Sequence, residues 1–72
     1  MDRYVIRDID GNPCTSTDNL QDALEQFKDY KRDNLLNDGD DIYDTEKECV
    51  VYHFEGGAIY DTETGKEIEE IE

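Results

Sequence analysis

Apolar and aromatic residues near the start of the chain are grouped as expected for a short strand. Tyr4 to Ile9 is rich in the β-branched and aromatic residues that strands favour, which predicts a strand there. Asp10 to Pro13 combines Asp, Gly, Asn and Pro, and this composition is typical of a turn. A second short extended segment is expected around Cys14 and Thr15, after the turn.

From Asp18 to about Leu36 the apolar residues recur at the spacing of a helix. Asp18 is the expected N-cap, with Gln21 three residues later completing a pair of the capping-box type. Gly39 is the expected left-handed residue that ends the segment. At 100° per residue the apolar side chains share one face: Leu20, Ala23, Leu24, Phe27 and Tyr30.

Strand signals dominate the second half of the chain. The segment from Cys49 to Phe54 is the strongest of them, and Asp41–Asp44, Ala58–Asp61 and Lys66–Ile71 are weaker ones. Turns at residues 55–57 and 62–65 separate the last three strands. The five residues from Ile42 to Glu46 are identical to residues 59–63. We interpret this echo as one sequence that leads a strand into a turn and occurs twice.

These elements predict an α+β fold in a single small domain, residues 1–72. One helix packs on a small, mostly antiparallel sheet of three to five strands, in the order β-α-β-β-β. The helix face and the strand alternation also predict the core, with Ile68 as the best core residue of the last strand. The other expected core residues are Ile6, Leu20, Leu24, Phe27, Val51 and Ile59.

The net negative charge of the chain limits the ligands that it can bind. The chain carries 21 acidic and 7 basic residues, a net charge of −14. Phosphate neutralisation needs clustered Lys and Arg, so direct binding to nucleic acid or to an anionic membrane is disfavoured. No apolar run approaches a membrane span of about 20 residues, and no secretory leader is recognisable, so a cytoplasmic protein is expected. Such a small, self-repelling chain should be marginally stable, and support from a homodimer or a partner is expected.

Residues that could form a catalytic or metal centre are few. His53 is the one histidine, and strand alternation would put it on the same face as Cys49. A zinc site needs four ligands, and the Asp-rich stretches do not fit the calcium-loop spacing. We therefore expect no enzyme activity, no metal and no cofactor. Cys14 and Cys49 could form a disulfide, although a reducing cytosol favours free thiols.

Two groups of acidic residues are the candidate partner-binding sites. The first, called here the acidic connector, is a run of carboxylates between the helix and the strongest strand: Asp40, Asp41, Asp44, Glu46 and Glu48. The second, called the helix row, lies opposite the apolar helix face: Asp22, Glu25 and Asp29. Tyr43 and Tyr60 are expected to add aromatic anchors, because interface hot spots favour Tyr. Regularly spaced carboxylates on a rigid fold can imitate a nucleic-acid backbone.

In size, charge and α+β architecture the whole chain resembles the small acidic inhibitors that phages encode, such as anti-CRISPR proteins and DNA mimics. The resemblance implies a non-enzymatic inhibitor that binds the basic, nucleic-acid-contacting surface of a bacterial protein in the host cytoplasm. A CRISPR effector or a nuclease is the kind of partner implied. The alternative is a generic acidic interaction module from a salt-adapted organism, whose carboxylates would be spread over the surface rather than concentrated on one face.

Overall fold

A computed structural model describes residues 2–68 and contains one helix and five strands. The strands follow the order β2-β1-β3-β4-β5 in one sheet, and each strand is antiparallel to its neighbours. The expected α+β fold, a helix packed on an antiparallel sheet, is confirmed. The elements are β1 (Tyr4–Arg7), β2 (Pro13–Thr17), α1 (Leu20–Arg32), β3 (Asp41–Asp44), β4 (Cys49–Glu55) and β5 (Ala58–Asp61).

The helix begins one residue later than expected, because Asn19 rather than Asp18 is its N-cap. Asn19 has an extended backbone, and its side-chain oxygen accepts hydrogen bonds from the backbone N–H groups of Gln21 at 2.8 Å and Asp22 at 3.3 Å. These bonds satisfy two of the N–H groups that the first turn leaves without a helical partner. The predicted cap at Asp18 is therefore wrong by one position.

The helix ends at Arg32, four residues before Leu36. Asn34 has a φ of +59°, and its N–H donates to the carbonyl of Lys31 at 3.1 Å. The next N–H, of Leu35, donates to the carbonyl of Tyr30 at 2.8 Å. This pair of bonds is a Schellman motif, in which Asn takes the left-handed position that glycine fills more often. The prediction that Gly39 ends the helix is wrong for that reason.

Gly39 instead makes room for a side chain from the β1–β2 turn. Its φ is +99°, and a Cβ atom built on it would lie 2.7 Å from the Ile9 side chain. Ile9 is otherwise 67% exposed and lies beyond β1, so the predicted strand is two residues too long.

The core lies between α1 and the sheet face that α1 covers. Ile6, Phe27 and Ile59 are buried as predicted. Leu20, Leu24 and Val51 are only partly buried and pack at its margin, as does Ile68. Four further side chains are buried but were not in the predicted core: Tyr4, Ala23, Ile42 and Phe54.

A bulge between β3 and β4 explains the marginal place of Val51. Tyr43 is paired with Val50 and Ile42 with Tyr52, so Val51 is the extra residue on β4. Because of this extra residue, the β4 side chains after Val51 point to the faces opposite to those they would take in an unbroken strand. Tyr52 and Phe54 therefore share a face with buried Ile42.

The five-residue echo has a common structural meaning. In each copy the Ile is buried, and in each copy the Asp side chain caps the following turn. Asp44 accepts from the backbone N–H of Glu46 at 2.9 Å, and Asp61 accepts from that of Glu63 at 2.9 Å. The interpretation as one strand-to-turn device used twice is confirmed.

The predicted last strand is represented by one isolated bridge, between Glu67 and Tyr60. The N–H of Ile68 also donates to the carbonyl of Ile59 at 2.7 Å. The remainder of that predicted strand, 69–71, lies outside the described residues. Within residues 2–68, no helix is long and apolar enough to span a membrane.

Candidate functional site

The acidic connector divides into three carboxylates that hold the fold and two that face solvent. Asp44 is the most deeply placed, with 1% of its surface exposed. Arg3 binds it through both nitrogens of a fork, Nε to Oδ1 at 3.0 Å and Nη2 to Oδ2 at 3.0 Å. Oδ1 also accepts from the backbone N–H groups of Glu46 and Lys47, at 2.9 and 3.2 Å. Asp44 thus joins β1 to the β3–β4 turn.

The hydrogen bond from Arg3 lowers the pKa of Asp44 to about 2, from an ordinary value of 3.8, and the turn N–H groups act in the same direction. Because the folded-state pKa is the lower one, the unfolded chain binds the proton more readily. The stabilisation from this carboxylate is therefore complete above about pH 4 and is lost as the pH falls toward 2.

This linkage gives a testable expectation for Asp44→Asn. The variant should be less stable than wild type at pH 6, and the difference in melting temperature should shrink between about pH 4 and pH 2. Thermal melts at constant ionic strength measure it, with Glu46→Gln as a control whose difference stays small throughout. A wild-type advantage over Asp44→Asn that stays constant across that range would contradict the assignment.

Asp41 is held in a similar way on the other face of the sheet. Arg7 donates from Nε to Oδ1 at 3.0 Å and from Nη2 to Oδ2 at 3.1 Å. The same guanidinium lies over the ring of Tyr43, 4.2 Å from its centroid. Arg7, Asp41 and Tyr43 therefore form one cross-strand cluster, in which the negative charge of Asp41 is already neutralised.

Asp40 is buried as well. Its Oδ2 accepts from the backbone N–H of Asn37 at 2.9 Å, while Oδ1 is shielded from solvent and has no hydrogen-bond partner in the described part of the chain. Asp40, Asp41 and Asp44 were expected to lie in a connector outside the core. That expectation is wrong for Asp40 and Asp44, which are buried: Asp40 directly precedes β3 and accepts from the Asn37 N–H, and Asp44 ends β3 and binds Arg3. Asp41 lies on the outer face of the sheet, where it is bound to Arg7.

Glu46 and Glu48 are the exposed members of the acidic connector. The Glu46 side chain is 71% exposed, and its Oε2 lies 3.5 Å from Arg3 Nε. Glu48 is exposed too, and its backbone has a φ of +54° in the tight turn before β4. These two carboxylates are available to a partner without any change in the fold.

The helix row is exposed as predicted. Asp22, Glu25 and Asp29 all face solvent, on the side of α1 opposite buried Ala23 and Phe27. Asp29 Oδ1 forms a surface ion pair with Arg32 Nη1 at 3.0 Å. The helix fixes the spacing of these carboxylates along its axis, and their exposure leaves them open to a partner.

Tyr43 and Tyr60 lie on the outer face of the sheet, the face that α1 does not cover. Both are half-buried. The Tyr60 ring stacks on His53 with 5.5 Å between the centroids. The two tyrosines therefore lie on the opposite side of the sheet from the helix row, and the sequence could not show this separation.

The bulge in β4 also separates Cys49 from His53. Cys49 is paired with Asp44 and His53 with Asp41, and these partners point to opposite faces of β3. The expectation that Cys49 and His53 share a face is wrong. His53 Nδ1 instead lies 2.8 Å from Thr62 Oγ1.

Both cysteines are free, and both are exposed. Partial desolvation raises the pKa of the Cys14 thiol, and the negative charges of Asp8 and Asp40 raise it further. Cys14 is therefore held as the neutral thiol, which is the less nucleophilic form.

Within residues 2–68, no group of three or more His, Cys, Asp or Glu side chains is arranged to hold a metal ion. Comparisons with protein-family models, with curated proteins and with solved structures give no match. The charge and shape of this chain are therefore the guide to its function.

Proposed function

We propose that this protein is a non-enzymatic inhibitor that acts in the cytoplasm of a host bacterium. It binds the basic surface with which a bacterial defence or DNA-processing protein, such as a CRISPR effector or a nuclease, contacts nucleic acid. The observation that supports the proposal is the helix row, a set of exposed carboxylates held at fixed spacing on a rigid element.

The spacing of the helix row suits such a surface. A helix rises 1.5 Å per residue, so Asp22 and Glu25 are about 4.5 Å apart along the axis, and Glu25 and Asp29 about 6 Å apart. Each strand of B-DNA carries one phosphate per 3.4 Å of axis. These separations are of the same order, and the flexible Lys side chains of a phosphate-binding groove can adjust to reach these carboxylates. Glu46 and Glu48 supply a second group of exposed carboxylates. Asp40, Asp41 and Asp44 stabilise the fold instead of binding the partner.

A second candidate function is a generic acidic interaction module of a salt-adapted organism. Exposed acids outside α1 favour it, because they occur in or beside turns at both ends of the sheet: Asp10, Asp38, Glu55 and Glu63. The two functions differ in whether position matters. An inhibitor that imitates nucleic acid depends on the helix row, while a general acidic coat depends on net charge alone.

Reversal of the helix row separates the two. The triple variant Asp22→Lys, Glu25→Lys and Asp29→Lys changes the net charge from −14 to −8, since each substitution adds two units. All three side chains are exposed, so the fold should survive. We expect the immobilised wild type to capture nucleic-acid-binding proteins from bacterial lysate, and added duplex DNA to displace them. The immobilised triple variant should not capture these proteins.

The matched control reverses Asp10, Glu55 and Glu67, which are exposed and lie in three separate places: the β1–β2 turn, the end of β4 and the segment after β5. It has the same net charge as the helix-row triple and should keep most of the capture. Equal losses from the two triples would show that net charge alone matters and would favour the acidic-module function. Capture that added DNA does not displace would also contradict the proposal.

A further inference from the structure

An open groove lies beside α1 on the sheet face that the helix covers only in part. The helix packs mainly against β1, β2 and β3, so part of the same face of β4 and β5, around Val51, Tyr52 and Asp61, remains open. A cavity of about 420 Å³ fills this space, next to a second one of about 490 Å³. Leu20 and Tyr52 line both cavities, so the two form one continuous groove.

The floor of the groove is apolar. Leu20 from the first turn of α1 faces Val51 and Tyr52 of β4 across the cavity, and all three side chains are only partly buried. Burial raises the pKa of Tyr52, and the negative charge of Asp61 raises it further. Tyr52 therefore presents a neutral ring in a partly desolvated position close to a carboxylate.

Carboxylates form the β5 side of the groove. Asp61 and the exposed Glu63 line the larger section, where Lys47 is the basic residue. Asp61 is held in place because its Oδ1 accepts from the backbone N–H groups of Glu63 and Thr64, at 2.9 and 3.4 Å. Asp44 also lines this section, but Arg3 neutralises it. The second section has one acid and one base, Glu25 and Lys28.

We propose that the larger section of this groove receives an arginine side chain of the basic partner. The methylene stem of the arginine would lie on Leu20 and Val51, and its guanidinium would stack on the Tyr52 ring and face Asp61 and Glu63. A guanidinium suits this place better than an ammonium, because it is planar, less strongly hydrated and able to bind a carboxylate through two donors. A second copy of this chain is a poorer occupant, since two molecules of net charge −14 repel each other.

This inference rests on the proposed function, because only a basic partner would supply the arginine. It adds a specific recognition site to the helix row. The two sites draw on different residues, so each can fail without the other.

The test uses the labelled full chain and a capped peptide, Gly-Gly-Arg-Gly-Gly, in an NMR titration. We expect saturable shifts of the backbone amides of Leu20, Val51, Tyr52 and Glu63. The same peptide with citrulline, which keeps the shape and lacks the charge, should cause no such shifts, and the lysine peptide should bind several-fold more weakly. Glu63→Gln and Tyr52→Leu should each weaken binding of the arginine peptide by roughly three- to tenfold.

Glu55→Gln removes an exposed charge at the far end of the sheet and should leave binding unchanged. Shifts confined to Asp22, Glu25 and Asp29 would overturn the groove site while leaving the proposed function intact. Equal binding of the arginine and lysine peptides, or an equal effect of Glu55→Gln and Glu63→Gln, would overturn it as well. Loss of lysate capture in the helix-row triple, with arginine still bound in the groove, would support both sites.

Discussion

Phe27→Ala is expected to unfold most of the protein at 25 °C. Phe27 has no exposed surface and lies at the centre of the contact between α1 and the sheet, among Ile6, Ile42 and Ile59. Replacing a buried Phe by Ala costs about 3–5 kcal/mol, because apolar contacts are lost and a cavity remains. In a chain of about 70 residues a single core rarely supplies more than about 3–5 kcal/mol of stability, so this loss leaves little or none of it.

Leu35→Ala is the matched control, because Leu35 is also apolar but 60% exposed. Its free energy of unfolding should stay within about 0.5 kcal/mol of wild type. Urea unfolding followed by circular dichroism measures both variants. A Phe27→Ala variant with a cooperative transition and a midpoint near that of Leu35→Ala would show that the packing of α1 on the sheet does not hold the domain together.

Asp44→Lys is expected to abolish cooperative folding at neutral pH. The substitution removes the acceptor of two backbone N–H groups in the β3–β4 turn and places an ammonium against the guanidinium of Arg3. A buried charge that faces a like charge is strongly unfavourable, because neither can be solvated by water. The loss should therefore exceed that of any reversal on the exposed surface.

Glu46→Lys makes the same change of charge two residues away and is the control. Its side chain projects into solvent, so the variant should melt cooperatively near the wild-type temperature. Thermal melts at pH 7 and equal salt compare the two. If Asp44→Lys folds as well as Glu46→Lys, then Asp44 is a surface residue and belongs again with the partner-binding carboxylates.

The fold class was predictable because local patterns agreed with it. The apolar face of α1 places Ala23 and Phe27 inward, and a periodic pattern of that length is typical of a helix. The ends of the helix were harder to predict. Asn19 begins the helix and Asn34 ends it because of hydrogen bonds that the spacing of apolar residues does not indicate. Asn shares with Asp and Gly the ability to fill these positions, so the sequence offered several candidates for each.

The candidate site was less predictable than the fold. Asp41, Asp44 and Glu46 look alike in sequence, yet only the two aspartates each accept two hydrogen bonds from an arginine, Arg7 or Arg3, more than 30 residues away in the chain. Such long-range ion pairs depend on the register of β1 with β3, in which Arg7 is paired with Asp41 and Tyr4 with Asp44. The signal that could have shown these pairs was the placement of opposite charges at the strand ends: Arg3 and Arg7 stand before and at the end of β1, and Asp41 and Asp44 stand at the two ends of β3.

The most direct test of the proposed function is displacement of nucleic acid from the principal DNA-binding protein that the wild type captures. That protein is loaded with fluorescent duplex DNA, this chain is titrated in, and anisotropy reports the bound DNA. The account predicts stoichiometric release of the DNA, weaker at high salt because exposed charges are screened beyond about 8 Å at physiological ionic strength. We also predict release by the Asp10, Glu55 and Glu67 triple and none by the helix-row triple. Stable binding of this chain while the DNA remains bound would contradict it.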